Sequence, residues 1–377
     1  MVVNTPGKSP SSLPAFGGEA GSVLRLIPSS SQCQFRASDG VQLNVECFGP
    51  KYCSGGSNEN TDASSSNAGG DNSMHKRSMH NSDEWPLLLY VHGVCESAET
   101  WGVQTLAQYC AKHCWRLIIL ELAGHGLSEN TAGLGRATCP NFDDLVKHVV
   151  EFAQQMSGKF SRSKGFAMCG CSLGGALVSF AVGGILAKRR NSINGSMPPE
   201  QNEYPDFYGI ALLAPSLGVN PGAIPPFPVV TALKALSFCM PSRGFMTPIE
   251  HPTYACPPTS TRNYSGHWPL STSSMLLDLT SNRVPNDVMA GNVKQTMEGL
   301  PSLYVIMGDK DEIIPLQSVL DWFDAVPLSS DNGEKMLTVL EGAGHGFFHE
   351  RLKGSQKKTA FDYLFEYLNT RAKKDFE

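Results

Sequence analysis

The sequence is short of charge, of any basic excess and of long apolar runs. Charged residues make up 17 % of the 377, below the ~25 % usual for a soluble domain. Lys and Arg number 30 against 35 Asp and Glu, a net charge of −5. With no cationic surplus to neutralise phosphates, a general nucleic-acid binder is disfavoured. The longest nearly apolar stretch, 175–187, ends at Lys188 after thirteen residues; a membrane span needs about twenty, so the stretch reads as a buried helix. Residues 1–21 have no apolar h-region and so do not resemble a secretory leader. The whole of 1–30 reads as a disordered tail, with an organelle-targeting role left open. The eleven cysteines include no CxxC pair, so zinc is not implied. Cys110, Cys114, Cys169 and Cys171 fall in apolar segments and read as small buried hydrophobes in a reducing, cytoplasmic setting.

What is present is an alternation of strand and helix patterns. Two strands, 32–36 and 41–48, flank the turn sequence Ala37-Ser38-Asp39-Gly40, a hairpin signal. Residues 53–83 are almost all Ser, Asn, Gly, Asp and His and read as a disordered insert. Short apolar runs at 86–92, 116–122, 165–171, 208–214, 302–307 and 336–340 read as strands. Helical spacing between them covers 101–113, a segment after the potential cap Asn141, 173–189, 316–325 and 357–373. Strands apolar throughout, alternating with helices, predict a mostly parallel central sheet covered by helices on both faces. Residues 216–300 break the rhythm: they are rich in proline, show no clear strand and carry an apolar run at 229–240. A segment of that length inside a compact domain is expected to be functional, here as a lid. The expected organisation is thus a tail at 1–30, a core formed by 31–215 and 301–377 with the 53–83 insert, and a lid or cap at 216–300.

The motif with chemical content is Gly170-Cys171-Ser172-Leu173-Gly174, a G-x-S-x-G between a buried strand and an apolar helix. In that context the serine sits on a tight turn with its hydroxyl exposed at the sheet edge, next to a helix N-terminus that favours a developing anion. A serine hydroxyl needs a base, and the base an orienting carboxylate, in the order Ser, acid, His. The strand at 302–307 runs into Gly308-Asp309-Lys310-Asp311, which offers two carboxylates, and that at 336–340 leads to Gly344-His345-Gly346. Oxyanion donors are expected from the backbone N–H of Leu173 and of Val94 in the loop after the first core strand, with Cys95 as the alternative. His92 and His125, also beside glycines, read as structural.

These pieces, taken together with Ser38-Asp39-Gly40, His92-Gly93, Trp101, Gly124-His125-Gly126-Leu127-Ser128 and Pro315, resemble the α/β-hydrolase superfamily. Within it they resemble most closely the monoacylglycerol lipase and lysophospholipase-like serine hydrolases. The resemblance runs from about Phe35 to about Asn369 without the 53–83 insert. It implies an α/β-hydrolase fold with a lid insertion, and a catalytic triad of Ser172, Asp311 and His345, with Asp309 the alternative acid. It implies no cofactor and no metal. Two departures stand out: Cys171 replaces the commoner polar residue in the elbow, and Glu121 stands where an aspartate usually precedes Gly-His-Gly. The implied activity is hydrolysis of a lipid-like acyl ester. The run at 229–240 is apolar on most of its helical circumference with one charge. Its excess apolar surface is therefore expected to face an acyl chain or, as a peripheral contact, membrane, with Leu233 and Leu236 lining the acyl site; the alternative is a helix buried under the rest of the lid. Alternatives are a short-chain carboxylesterase, thioesterase, acyltransferase or amidase/aminopeptidase on the same fold, or a non-catalytic hydrolase-like receptor. A carboxylate-nucleophile epoxide hydrolase or dehalogenase is disfavoured by Ser172. Oligomeric state is not legible.

Overall fold

The computed structural model describes residues 31–49, 84–193, 205–248, 262, 264, 266–327, 334–347 and 358–373. The expected tail at 1–30 and insert at 53–83 lie outside them. A hairpin of β1 (Ser31–Arg36) and β2 (Gln42–Phe48) closes through the Ala37–Gly40 turn, where the Asp39 carboxylate accepts from Val41 N. Next in chain order come β3 (Leu87–Val91), α1 (Trp101–Lys112), β4 (Arg116–Leu120), α2 (Phe142–Lys159), β5 (Gly165–Cys171), α3 (Leu173–Ile193) and β6 (Asp206–Leu213). The sheet order is β1-β2-β4-β3-β5-β6 followed by β9 (Ser302–Gly308) and β10 (Glu334–Leu340). The β1–β2 and β2–β4 pairs are antiparallel and all the others parallel. Every residue of β3, β4, β5 and β9 is buried, which is why these strands read as unbroken apolar runs: helices cover both faces, so alternation has no solvent side to mark. Edge strands β1 and β10 are only partly buried.

Local rules explain the helix boundaries. Asn141 caps α2 by accepting from Asp143 N at 3.0 Å, a donor that the helix itself leaves unsatisfied. At the other end of α1, Cys114 adopts a left-handed φ of 58° while Trp115 N donates to Cys110 O at 2.9 Å, the backbone pattern of a Schellman motif. Cys114 is therefore exposed, contrary to the buried reading from its apolar surroundings, whereas Cys110, Cys169 and Cys171 are buried. The closing helix α9 (Ala360–Lys373) buries Phe361, Leu364, Phe365 and Leu368 and packs on α1, its Phe365 ring stacking with His113.

Between β6 and β9 the chain leaves the sheet and forms α4 (Phe227–Cys239), β7 (Gly244–Pro248), β8 (His267–Pro269), α5 (Leu270–Asp278), α6 (Val284–Met289) and α7 (Asn292–Thr296). The expectation of no strand here is corrected: β7 and β8 pair antiparallel as a separate two-stranded sheet. Both are short and end in proline, so neither carries an alternating pattern, and their pairing joins residues about twenty apart in sequence. The remaining core helix, α8 (Leu316–Ala325), follows β9.

Arginines fasten this excursion to the core. Arg283 bonds to Asp143 at 2.6 Å and lies over the Phe142 and Phe180 rings. Arg262 reaches Glu46 at 2.6 Å, Glu99 at 3.3 Å and Glu121 at 3.7 Å. The unusual Glu121 is thereby explained. It is fully buried and accepts from Asn44 Nδ2, Ala98 N and Leu127 N, and a Cβ on Gly126 would collide with its carboxylate. Removing one partner of a buried ion cluster leaves uncompensated charge, at a cost of about 3–5 kcal/mol. Arg262→Met is therefore expected to lower the urea midpoint by a shift equivalent to roughly 3 kcal/mol. An unchanged midpoint would show that Glu46 and Glu121 do not need the guanidinium.

Candidate active site

Ser172, Asp311 and His345 follow the C-terminal ends of β5, β9 and β10 respectively, the side of an open α/β sheet where ligands bind. Ser172 has φ 50°, a left-handed conformation that is costly for a residue with a Cβ and persists only where the surroundings enforce it. Here the enforcement is visible. Ser172 N donates to Leu213 O at 2.9 Å, and α3 starts at the next residue, with Ala176 N donating to Ser172 O at 3.2 Å. Both glycines of the motif are sterically required. A Cβ on Gly170 would collide with the Gly174 backbone, and a Cβ on Gly174 with Val91 O.

The loops carrying the acid and the histidine are laced together. Asp309 N donates to Leu340 O at 3.1 Å, and Lys310 N to Ala343 O at 2.9 Å. Asp309 Oδ1 accepts from Gly342 N at 2.6 Å, so the first of the two carboxylates is committed to bracing the loops. The second, Asp311, has a side chain only 1 % exposed. Its Oδ1 accepts from Ile313 N and Ile314 N at 3.0 and 2.9 Å, and its Oδ2 lies 2.8 Å from His345 Nδ1. His345 Nε2 is 3.0 Å from Ser172 Oγ. Carboxylate, imidazole and hydroxyl therefore stand in one hydrogen-bonded series. Such a series holds Nδ1–H against the carboxylate and leaves Nε2 to take a hydroxyl proton.

The loop after β3 lies against this series: a Cβ on Gly93 would sit 3.3 Å from Ser172 Cβ. Gly93 N donates to Glu96 Oε2 at 2.8 Å, and Cys95 turns the chain with φ 62°. Among the described residues neither Val94 N nor Leu173 N has a hydrogen-bond acceptor. His92 fixes the loop from beneath: Leu122 N donates to its Nε2 at 3.1 Å, and its Nδ1 is 2.7 Å from Gly93 O. Burial lowers the His92 pKa and brings that of His125 down to about 3, so both rings stay neutral at physiological pH and serve the packing. Burial pushes the Cys171 thiol well above its usual range, which leaves it a protonated, inert neighbour of Ser172.

Leu233 and Leu236 do not share an environment: Leu233 is buried, whereas Leu236 is 42 % exposed. Other apolar residues of α4 are also exposed, Phe227 at 81 % and Phe238 at 90 %. Two residues that the motifs did not single out belong to the site. Glu96 bonds to the loop after β3, and Ser216 Oγ lies 3.3 Å from Ser172 Oγ. Neither carries a sequence signal, since a lone serine after Ala-Pro has no spacing that marks it.

Among solved structures the chain resembles a soluble variant of monoglyceride lipase from Saccharomyces cerevisiae in complex with a substrate analog. The identity is 14 % and the TM-score 0.56, over 94 % of this chain and 98 % of that one. The α/β hydrolase GrgF from Penicillium sp. sh18 matches with 13 % identity and a TM-score of 0.56 over 91 % and 98 % of the two chains. A monoacylglycerol lipase from Paleococcus ferrophilus matches with 16 % identity and a TM-score of 0.51 over 76 % and 96 %. At such identities the likeness is one of fold. Compared by sequence with curated proteins, the chain has no significant match. The family model described as serine aminopeptidase, S33, matches residues 85–352. The chain, with its α/β-hydrolase fold, belongs to that family of serine hydrolases.

Proposed function

We propose that the protein hydrolyses lipid-like acyl esters, of monoacylglycerol or lysophospholipid type, through an acyl-enzyme on Ser172. The observation that carries this reading is the series Asp311–His345–Ser172. Ser172 Oγ attacks the acyl carbon while His345 Nε2 takes its proton, and Asp311 holds the imidazolium that results. The N–H groups of Val94 and Leu173 receive the oxyanion. Collapse expels the alcohol, which takes the proton from His345. Water then repeats the cycle on the acyl-enzyme and releases the acid. No step calls for a metal or cofactor.

The lipid-like class is supported by the apolar residues around the root of the 216–300 segment. Ser216 N donates to Ser172 O, and Asn220 N to Ile313 O beside the acid loop. Ile313 beside the acid, Ile224 a few residues past Asn220, and Phe227, Leu236 and Phe238 of α4 are exposed. In this reading the segment is a lid whose outward face meets acyl chain or membrane surface. Each buried CH₂ contributes ~0.8 kcal/mol, so kcat/KM on p-nitrophenyl esters is expected to rise roughly fourfold per methylene until the site is full. Leu236→Ser is expected to flatten that rise and spare acetyl esters. A wild-type profile peaking at acetyl or butyryl would overturn the lipid reading.

A second reading, an aminopeptidase, is favoured by Glu96. Its Oε2 and Ser172 Cβ both lie within 3.3 Å of the point a Gly93 Cβ would occupy, so one carboxylate stands near enough to hold a substrate α-ammonium. Turnover of aminoacyl p-nitroanilides in preference to acyl esters would select it.

A further inference from the structure

We infer that Ser216 is a positioning residue for the nucleophile, its hydroxyl donating to Ser172 Oγ and holding that oxygen toward His345. The inference rests on the serine-hydrolase reading above. Ser172 has a single hydroxyl hydrogen. With His345 Nδ1–H directed at Asp311 Oδ2, Nε2 is the acceptor, and the Ser172 hydrogen goes to it at 3.0 Å. The 3.3 Å contact between Ser172 Oγ and Ser216 Oγ is then filled by the Ser216 hydrogen. Ser216 is buried at 6 % exposure, and among the described residues its hydroxyl has no other partner.

The backbone places this hydroxyl. Ser172 N donates to Leu213 O and Ser216 N to Ser172 O, both at 2.9 Å, so the end of β6 is bonded to the elbow on both sides of the nucleophile. Between them Ala214 takes a left-handed φ of 41° while its N donates to Ile306 O at 2.9 Å. Pro215 fills the space against Gly175, where a Cβ would come within 2.9 Å of the proline ring. The turn is therefore braced by main chain and packing, and the Ser216 side chain is not needed to hold it. A serine Oγ has three staggered positions, and one of them meets His345. A second hydrogen bond on Oγ favours the arrangement in which it already points at the imidazole.

Fluorophosphonate labelling reads this directly, because the rate of phosphonylation depends on Ser172 and its base and not on release of a substrate alcohol. Ser216→Ala is expected to slow labelling about tenfold, the effect of one hydrogen bond. Ser216→Thr, which restores the hydroxyl, is expected to return most of the rate. Ester kcat should fall in step with labelling while KM stays unchanged, and thermal midpoints should match wild type. Ser216→Cys keeps the volume with a weak donor and should label as slowly as the alanine variant, which covers the case that alanine does not fold. Labelling of Ser216→Ala or Ser216→Cys at the wild-type rate or faster would overturn the inference. So would equal slowing in Ser216→Ala and Ser216→Thr, which would trace the effect to shape. Failure of the wild type to label at all would instead remove the serine-hydrolase reading on which the inference stands.

Discussion

Ser172→Ala is expected to lose at least about 10³-fold in kcat on any ester the wild type turns over. Alanine keeps the Cβ and the backbone bonds to Leu213 and Ala176, so the elbow should stand and the melting temperature should change little. What disappears is the oxygen that forms the acyl bond in the proposed reaction. The residual rate would come from binding and from the proposed oxyanion donors, the Val94 and Leu173 amides, which would stabilise attack by water to a limited degree. Fluorophosphonate labelling should vanish in parallel. A folded variant that keeps wild-type turnover would show that the nucleophile is elsewhere.

Asp311→Asn is expected to cost on the order of 10⁴-fold in kcat, and the reason is a proton position. The asparagine Oδ1 can still accept from Ile313 N and Ile314 N. Its NH₂ group would then face His345 Nδ1, which must turn from donor to acceptor. The ring hydrogen moves to Nε2, and Nε2 can no longer take the Ser172 proton. Asp309→Asn makes the control. The amide oxygen of that variant can still accept from Gly342 N, the bond Asp309 makes at 2.6 Å, and a loss within about tenfold is expected. If Asp309→Asn proves the more damaging of the two, the acid is Asp309. The comparison is best made on one ester at several pH values, so that a displaced pH profile is not mistaken for a lost residue.

Much of the scaffold was legible because its causes act over short stretches of chain. A buried parallel strand must be apolar on both faces, and β3, β4, β5 and β9 read that way. Asn141 can cap a helix whatever else the protein contains. The G-x-S-x-G pattern reports a steric fact about five consecutive residues: Gly170 and Gly174 are small because their own neighbours leave no room. The strand–turn–helix setting of Ser172 could be inferred for the same reason. Where local signals were weak the reading failed. Strands β7 and β8 exist because they pair with each other, and Cys114 is exposed because the end of α1 needs a left-handed residue there.

Other features depend on the path of the chain. Asp309 and Asp311 both follow β9 within three residues of Gly308, and the residue pattern by itself left both open; the family resemblance pointed to Asp311, with Asp309 as the alternative. The separation came when one carboxylate met Gly342 N and the other met His345. Ser172 and His345 are 173 residues apart and meet at 3.0 Å. Ser216 reaches Ser172 only because β5 and β6 are neighbours, and Arg262 finds three carboxylates that come from separate parts of the chain. Turn sterics, capping and periodic burial are interactions of a residue with its own stretch of chain, so the sequence alone determined the sheet, most of its helices and the elbow. Pairings across space depend on where packing brings distant stretches, and therefore only the tertiary structure decided which carboxylate faces His345, what stands beside Ser172 Oγ and what neutralises Glu121.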